Sequence, residues 1–164
     1  WRSLIFLPVN IPDSLVLRDY HVDNLMRLND RTGIAACGLL DFQDAVVGPV
    51  TYDLVSLIED ARRDVSPAIA KEVKERYLAA FPDLDPIQFE LSMAVLGAQR
   101  HAKVIGIFTR LCVRDNKRIY LNHIPRLWCL LEAACDHPGL EIMQQWFNLY
   151  IPTELRQLPE GFGA

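Results

Sequence analysis

Asp19 and Asn24 stand five residues apart in "RDYHVDN", and Asp41 lies near the end of the apolar run "IAACGLLDF". A carboxylate and a carboxamide on one loop, with a second carboxylate on a neighbouring loop, offer oxygen ligands that suit a hard cation. One carboxylate is then left to accept a proton. Phosphoryl transfer divides its labour in this way: one Asp orients the attacking hydroxyl, while an Asn and another Asp hold Mg2+ against nucleotide phosphates. Taken singly, each of the three is an ordinary turn residue. The spacing of the set is what speaks for chemistry.

Those residues need a scaffold. "LVL" (15–17) and "LMRL" (25–28) have the composition of short strands on either side of the first loop. "NDRTG" (29–33) has hairpin-turn composition, with Gly33 able to take positive φ. "IAACGLLDF" (34–42) is expected as a third strand and "QDAVVGPVT" (43–51) as a loop; residues 1–14 form an apolar segment ending in the loop "LPVNIPDS". From residue 51 the period turns helical. Leu54, Leu57, Ile58 and Ala61 share one face of "TYDLVSLIEDARRD", with Ser56, Glu59, Asp60 and Arg63 elsewhere, and Thr51 or Asp53 is placed to cap its start. Ser66-Pro67 and Asp85-Pro86 mark two further helix starts, the second opening a long apolar helix to residue 114. Helices over 119–135, with Pro125 restarting or kinking the first of them, and over 139–151 follow. The sequence therefore predicts an α+β, mostly α, single domain over 1–164, with a small β-hairpin region at one end and a tail over 152–164.

Composition narrows the possibilities. The chain is 51% hydrophobic and 23% charged, which suits one globular domain. Seventeen basic against twenty-one acidic residues, with no Lys/Arg run, argue against a nucleic-acid surface. No apolar run reaches the ~18 residues of a membrane span. Cys37, Cys112, Cys129 and Cys135 show neither a CxxC pair nor zinc spacing, and three lie in apolar helical context; reduced, structural thiols in the cytosol are expected. The chain starts at Trp1 and is read as a piece of a longer protein.

"RDYHVDN" resembles the catalytic loop D-x-H-x-x-N of small-molecule kinases with a protein-kinase-like fold. "LLDFQDAVVGPVTYDL" resembles the metal-binding segment of the same family, in the family's order. The chain is similar to the C-terminal lobe of the aminoglycoside phosphotransferase family over about residues 12–135. "DFQDAVVGPVTYDLVSL" and "AQRHAKVIGIFTRL" look most like the bacterial kinases of N-acetylmuramate and N-acetylglucosamine, which phosphorylate the anomeric hydroxyl. The resemblance implies Asp19 as catalytic base, Asn24 and Asp41 as ligands of Mg2+ and so of ATP, and the hairpin region as the carrier of both loops. It also implies an N-terminal nucleotide-binding lobe outside this chain. That lobe would carry a phosphate-binding lysine and much of the adenine pocket.

The other polar residues divide less cleanly. His21 is read as a brace that orients the loop, Arg18 as the partner of a nearby carboxylate, and Asp23 as a solvent-facing carboxylate. Asp44 is either a sugar ligand at the pocket floor or a turn residue. Asp53 is read as accepting hydrogen bonds from the backbone behind the site. Arg100 and His101, with Gln99, interrupt an apolar helix and read either as substrate contacts or as a solvent-facing stripe. Val104, Ile105, Phe108, Leu111, Trp128, Trp146 and Phe147 read as packing. The family carries His two residues before its catalytic Asp; Leu17 stands there in this chain.

The reading implied is an ATP-dependent kinase of a sugar in cell-wall recycling, cytoplasmic, with this piece alone turning over little. Two alternatives compete with it. An aminoglycoside or other metabolite is another possible acceptor, and the acidic residues would suit a polycation, whereas Arg100, His101, Lys103 and Arg110 favour a neutral or anionic sugar. A pseudokinase-like binding module is the alternative of another class, motivated by Leu17. A two-metal phosphohydrolase lacks the His/Asp clusters it would need.

Overall fold

The computed structural model describes residues 1, 2, 4 and 11–158. Helix, 3-10 turns included, takes 62% of the described residues and strand 9%, so the architecture is α+β and mostly α. The expected opening segment lies largely outside the described residues, as do residues 159–164 of the expected tail; Thr153–Leu155 form a 3-10 turn.

Among the described residues, four short strands make two antiparallel pairs. Strand β1 (Asp13–Val16) pairs with β4 (Val46–Pro49), Val16 opposite Val46; β2 (Leu25–Arg27) pairs with β3 (Cys37–Leu39), Leu25 opposite Leu39. Two expectations are corrected here. The segment 43–51 is not all loop, because "VVGP" finds its partner in β1, far back along the chain. The third strand is shorter than 34–42, because Gly33–Ala36 wind into a 3-10 turn entered through Gly33 at φ 59°.

The helices follow their local signals closely. Helix α1 (Thr51–Ile58) is followed by α2 (Pro67–Ala80), which Ser66 caps by accepting from the Ile69 amide. Helix α3 (Pro86–Asp115) is capped by Asp85, and at about 1.5 Å per residue spans about 45 Å. It ends where Asn116 takes a left-handed conformation at φ 52°. Helix α4 (Ile124–Cys135) carries Pro125 in its first turn, where no amide partner is lost, and α5 (Glu141–Tyr150) follows. Neither Thr51 nor Asp53 caps α1, whose N-cap position is Val50. That helix also stops at Ile58, short of the expected periodicity through Ala61.

Helix α3 is the beam on which the rest is built. Its first half packs Phe89 and Met93 against Leu54, Val55 and Ile58 of α1. Its middle packs Val95 and Ala98 against Leu131 and Cys135 of α4 and Met143 and Phe147 of α5. Its far end packs Phe108 and Cys112 against Leu121, Ile124 and Leu127. Phe108, Phe147 and Trp128 pack as expected, whereas Trp146 is 46% exposed. Burial pushes the Cys135 thiol up to about 11, so it stays protonated and behaves as a small hydrophobe; Cys129 and Cys37 are exposed. Among the described residues no helix is long and apolar enough to cross a membrane.

Candidate active site

The loop after β1 is held by its backbone. Arg18 adopts φ 71°, where an L side chain crowds its own carbonyl at a cost of about 1–2 kcal/mol. Neighbouring side chains hold it there. Asp53 of α1 accepts from the Leu17 amide (2.6 Å) with Oδ2 and from the Arg18 amide (3.0 Å) with Oδ1. The Arg18 carbonyl accepts from Arg100 Nη1 of α3 (3.3 Å) and from Ser56 Oγ of α1 (3.4 Å). Strain of this kind persists where the surroundings over-determine it, and here it sets the peptide that precedes Asp19.

Asp53 carries out this task partly buried. Desolvation pushes its carboxyl above the ordinary range and outweighs the two amide bonds and the Arg100 charge, which pull it down. Tyr20, on the same loop, is raised by burial and by the charges of Cys37 and Asp53.

Asn24 closes the loop from its far end. Its Nδ2 donates to the Asp19 carbonyl (2.9 Å), which leaves Oδ1 for a cation. The Leu40 amide donates to the Asn24 carbonyl (2.9 Å), so Asn24 and Asp41 occupy the same end of the β2–β3 pair. Asp41 also adopts left-handed backbone, at φ 55°, and Gln43 Nε2 donates to its Oδ1. Among the described residues no three His, Cys, Asp or Glu side chains converge on a metal. An amide and a carboxylate alone fit Mg2+ better than a protein-only cage, since Mg2+ keeps water and phosphate oxygens as its other ligands.

Beside Asp19 opens a cavity of about 230 Å³, lined among others by Arg18, His21, Asp60, Arg62, Arg100 and Lys103. Asp60 is 3% exposed. Its Oδ1 accepts from the Arg62 amide (2.8 Å), which turns the chain out of α1. Arg126 of α4 pins the same turn from behind: Nε donates to the Asp60 carbonyl (2.9 Å), Nη2 to the Arg63 carbonyl (2.6 Å), and Nη1 pairs with Asp64.

The model of the phosphotransferase enzyme family matches residues 2–89. The chain belongs to that family. It is similar to the N-acetylmuramate/N-acetylglucosamine kinase of Caulobacter vibrioides, 45% identical over 140 residues, which is 85% of this chain and 39% of that protein. It is similar also to the proteins of the same name from Pseudomonas aeruginosa (42% identical, 75% of this chain, 37% of that protein) and Neisseria meningitidis (40% identical, 70% and 35%). The chain thus spans about two fifths of the length of these curated relatives.

Within this phosphotransferase chain, the residues expected at the site fall into two groups. Asp19, His21 and Arg100 line the cavity, while Asn24 and Asp41 gather at the hairpin end and Asp53 stands behind the loop. Asp44 is exposed in the 42–45 turn and does not line the cavity, because β4 carries the chain away after it. His101 does not line it either. It is 1% exposed, with Nε2 2.7 Å from Glu59 Oε2, in space kept open by Gly97, where a Cβ would stand 3.1 Å from that carboxylate. The solvent-facing stripe is likewise absent at these positions, since Arg100 is 8% exposed. Arg18 makes no ion pair among the described residues, and Asp23 is bound to Arg63 (2.6 Å) and lies 3.7 Å from Arg62. Sequence reasoning missed Asp60, Arg62 and Ser56 as site residues. Asp60 and Arg62 had as their signal only the density of charge in "IEDARRD", which looks like an ordinary solvated helix face, and Ser56 had none.

Proposed function

We propose that the longer protein containing this chain is an ATP-dependent kinase that moves the γ-phosphate to the anomeric hydroxyl of an N-acetylated amino sugar, N-acetylmuramate or N-acetylglucosamine, in cytoplasmic cell-wall recycling. The chain would be its C-terminal lobe, and the hairpin region would carry its catalytic and metal-binding loops. One observation carries the reading: the strained Arg18 peptide, fixed by Asp53, Ser56 and Arg100, presents Asp19 to a cavity, and Asn24 donates to the Asp19 carbonyl from the far end of the loop. The names of the relatives supply the sugar class.

In this mechanism Asp19 accepts the proton of the sugar hydroxyl as it attacks. Asn24 and Asp41 would hold Mg2+, which neutralises phosphate charge when bound. The Arg18 clamp fixes where the base stands. Leu17 in place of the family His fits this mechanism, because position 17 is tied in through its amide to Asp53, not through its side chain.

The nucleotide-binding lobe would cover the hairpin face. Leu15 (66% exposed), Ile34 (95%), Phe42 (58%) and Val47 (78%) are apolar residues left exposed on the strands and the turns between them. The test is nucleotide release by the full-length protein with N-acetylglucosamine, N-acetylmuramate and an aminoglycoside, with 31P NMR of the product. A sugar 1-phosphate is expected. Turnover with the aminoglycoside alone would refute the amino-sugar reading.

A further inference from the structure

Among the described residues, two buried side-chain polar atoms have no hydrogen-bond partner: Asp60 Oδ2 and His21 Nδ1. Both residues line the cavity beside Asp19. Buried polar groups are almost always paired, so two orphans in one cavity call for an explanation. Their chemistry is opposite. Arg62 Nη1 lies 3.4 Å from His21 Nε2, and a guanidinium only donates, so Nε2 is the acceptor and the neutral ring carries its proton on Nδ1. The nearest ion-pair partner of Nδ1, Asp23 Oδ2, is 3.9 Å away and beyond hydrogen-bond reach. His21 therefore offers a donor. Asp60 offers an acceptor, since its other oxygen is already taken by the Arg62 amide.

We infer that this cavity is the acceptor-sugar subsite, and that Asp60 and His21 read the acetamido group, Asp60 Oδ2 accepting its N–H and His21 Nδ1–H donating to its carbonyl. An acetamido group carries one donor and one acceptor, matching the unpaired donor of His21 and the unpaired acceptor of Asp60, two residues that line the cavity. On an N-acetylated amino sugar that group sits on the carbon next to the anomeric hydroxyl, and Asp19 lines the same cavity as the pair. Asp60 is fixed for this purpose by Arg126, which holds its carbonyl from α4. The inference deepens, and rests on, the amino-sugar kinase reading.

Asp60→Asn supplies the test. Its Oδ1 keeps the Arg62 amide, so the new Nδ2 takes the place of Oδ2 and meets the acetamido N–H donor to donor. In the full-length protein, calorimetric affinity for N-acetylglucosamine should fall at least about tenfold, as polar sites do when a buried pair is mismatched. Affinity for glucose, whose hydroxyl can accept as well as donate, should fall far less. His21→Leu should narrow the same ratio, whereas His21→Gln, which keeps a donor, should restore part of it. Nucleotide affinity and thermal midpoint should stay unchanged. Variants that lower the midpoint but leave the sugar ratio intact would show a merely structural His21–Asp60 pair and overturn the proposal; so would a wild-type protein that binds N-acetylglucosamine no better than glucose. Selective binding without phosphorylation would sink the kinase reading and leave the subsite standing.

Discussion

Asp19 and Asp53 are both loop-associated carboxylates, and the structure gives them opposite surroundings. Asp19 is exposed at the cavity, free to meet a proton; Asp53 is half-buried and spends both oxygens on backbone amides. Asp19→Asn should therefore lower kcat of the full-length protein by about 10²–10⁴ while sugar affinity and thermal midpoint hold, because only the proton acceptor is lost. Asp53→Asn should behave differently. The amide can accept from one of the two N–H groups but not both, which costs about 1–3 kcal/mol and loosens Arg18, so both stability and kcat drop. The pH dependence separates the two effects. Burial raises the folded-state pKa of Asp53 above its ordinary 3.8, so the folded state binds its proton more tightly than the unfolded chain. Wild-type stability should then fall, relative to Asp53→Asn, as pH rises from the ordinary carboxylate value through the raised one, and level off above it. Urea midpoints of the two proteins across that window check the sign. A difference that grows in favour of the wild type as pH rises would contradict it.

At the scale of elements, the local signals were legible and the long-range ones were not. Ser66-Pro67 and Asp85-Pro86 announced α2 and α3 because capping is written within four residues. Strand β4 was hidden, since "VVGP" becomes a strand only by pairing with β1 across the intervening β2–β3 hairpin. The end of α1 was hidden too: Ala61 continues the apolar period, but Asp60 accepts from the Arg62 amide and turns the chain away. Asp19, Asn24 and Asp41 stand out by their spacing, whereas His101 looked like a surface or substrate residue because its partner, Glu59, lies far back along the chain, just past the end of α1. Arg126 shows what such distant contacts do. One guanidinium from α4 satisfies two carbonyls of the turn that carries Asp60 and Arg62 into the cavity. Arg126→Ala should destabilise the protein by about 1–3 kcal/mol, with the two carbonyls left short of a donor. Sugar affinity should drop with it, while nucleotide affinity should not. Thermal melts paired with sugar titration test this, and a loss of nucleotide affinity instead would mean that the turn serves another site.

For the whole molecule, what decides is which parts of the site the chain itself supplies. Helix α3 gathers α1, α4 and α5 around buried Phe89, Leu127 and Leu131, so the helical body has a core of its own. Large apolar side chains remain exposed both on the strands, at Leu15, Met26 and Val47, and on the helices, at Ile87, Val113 and Ile142. The matched stretch is 39% of the Caulobacter relative, which fits the proposal that a nucleotide-binding lobe lies elsewhere in a longer protein. The chain alone should then fold, since its helical core is self-sufficient, and still fail as a kinase. Its sugar-dependent ADP release should fall at least about 10³-fold below that of the full-length protein, because positioning of the phosphates supplies most of the catalysis in phosphoryl transfer. It should nonetheless bind N-acetylglucosamine, for the acceptor cavity is built from the Asp19 loop, the Asp60 turn and α3, all within the chain. Supplying the missing segment in trans should restore part of the turnover. Full activity from the chain by itself would overturn the two-lobe reading.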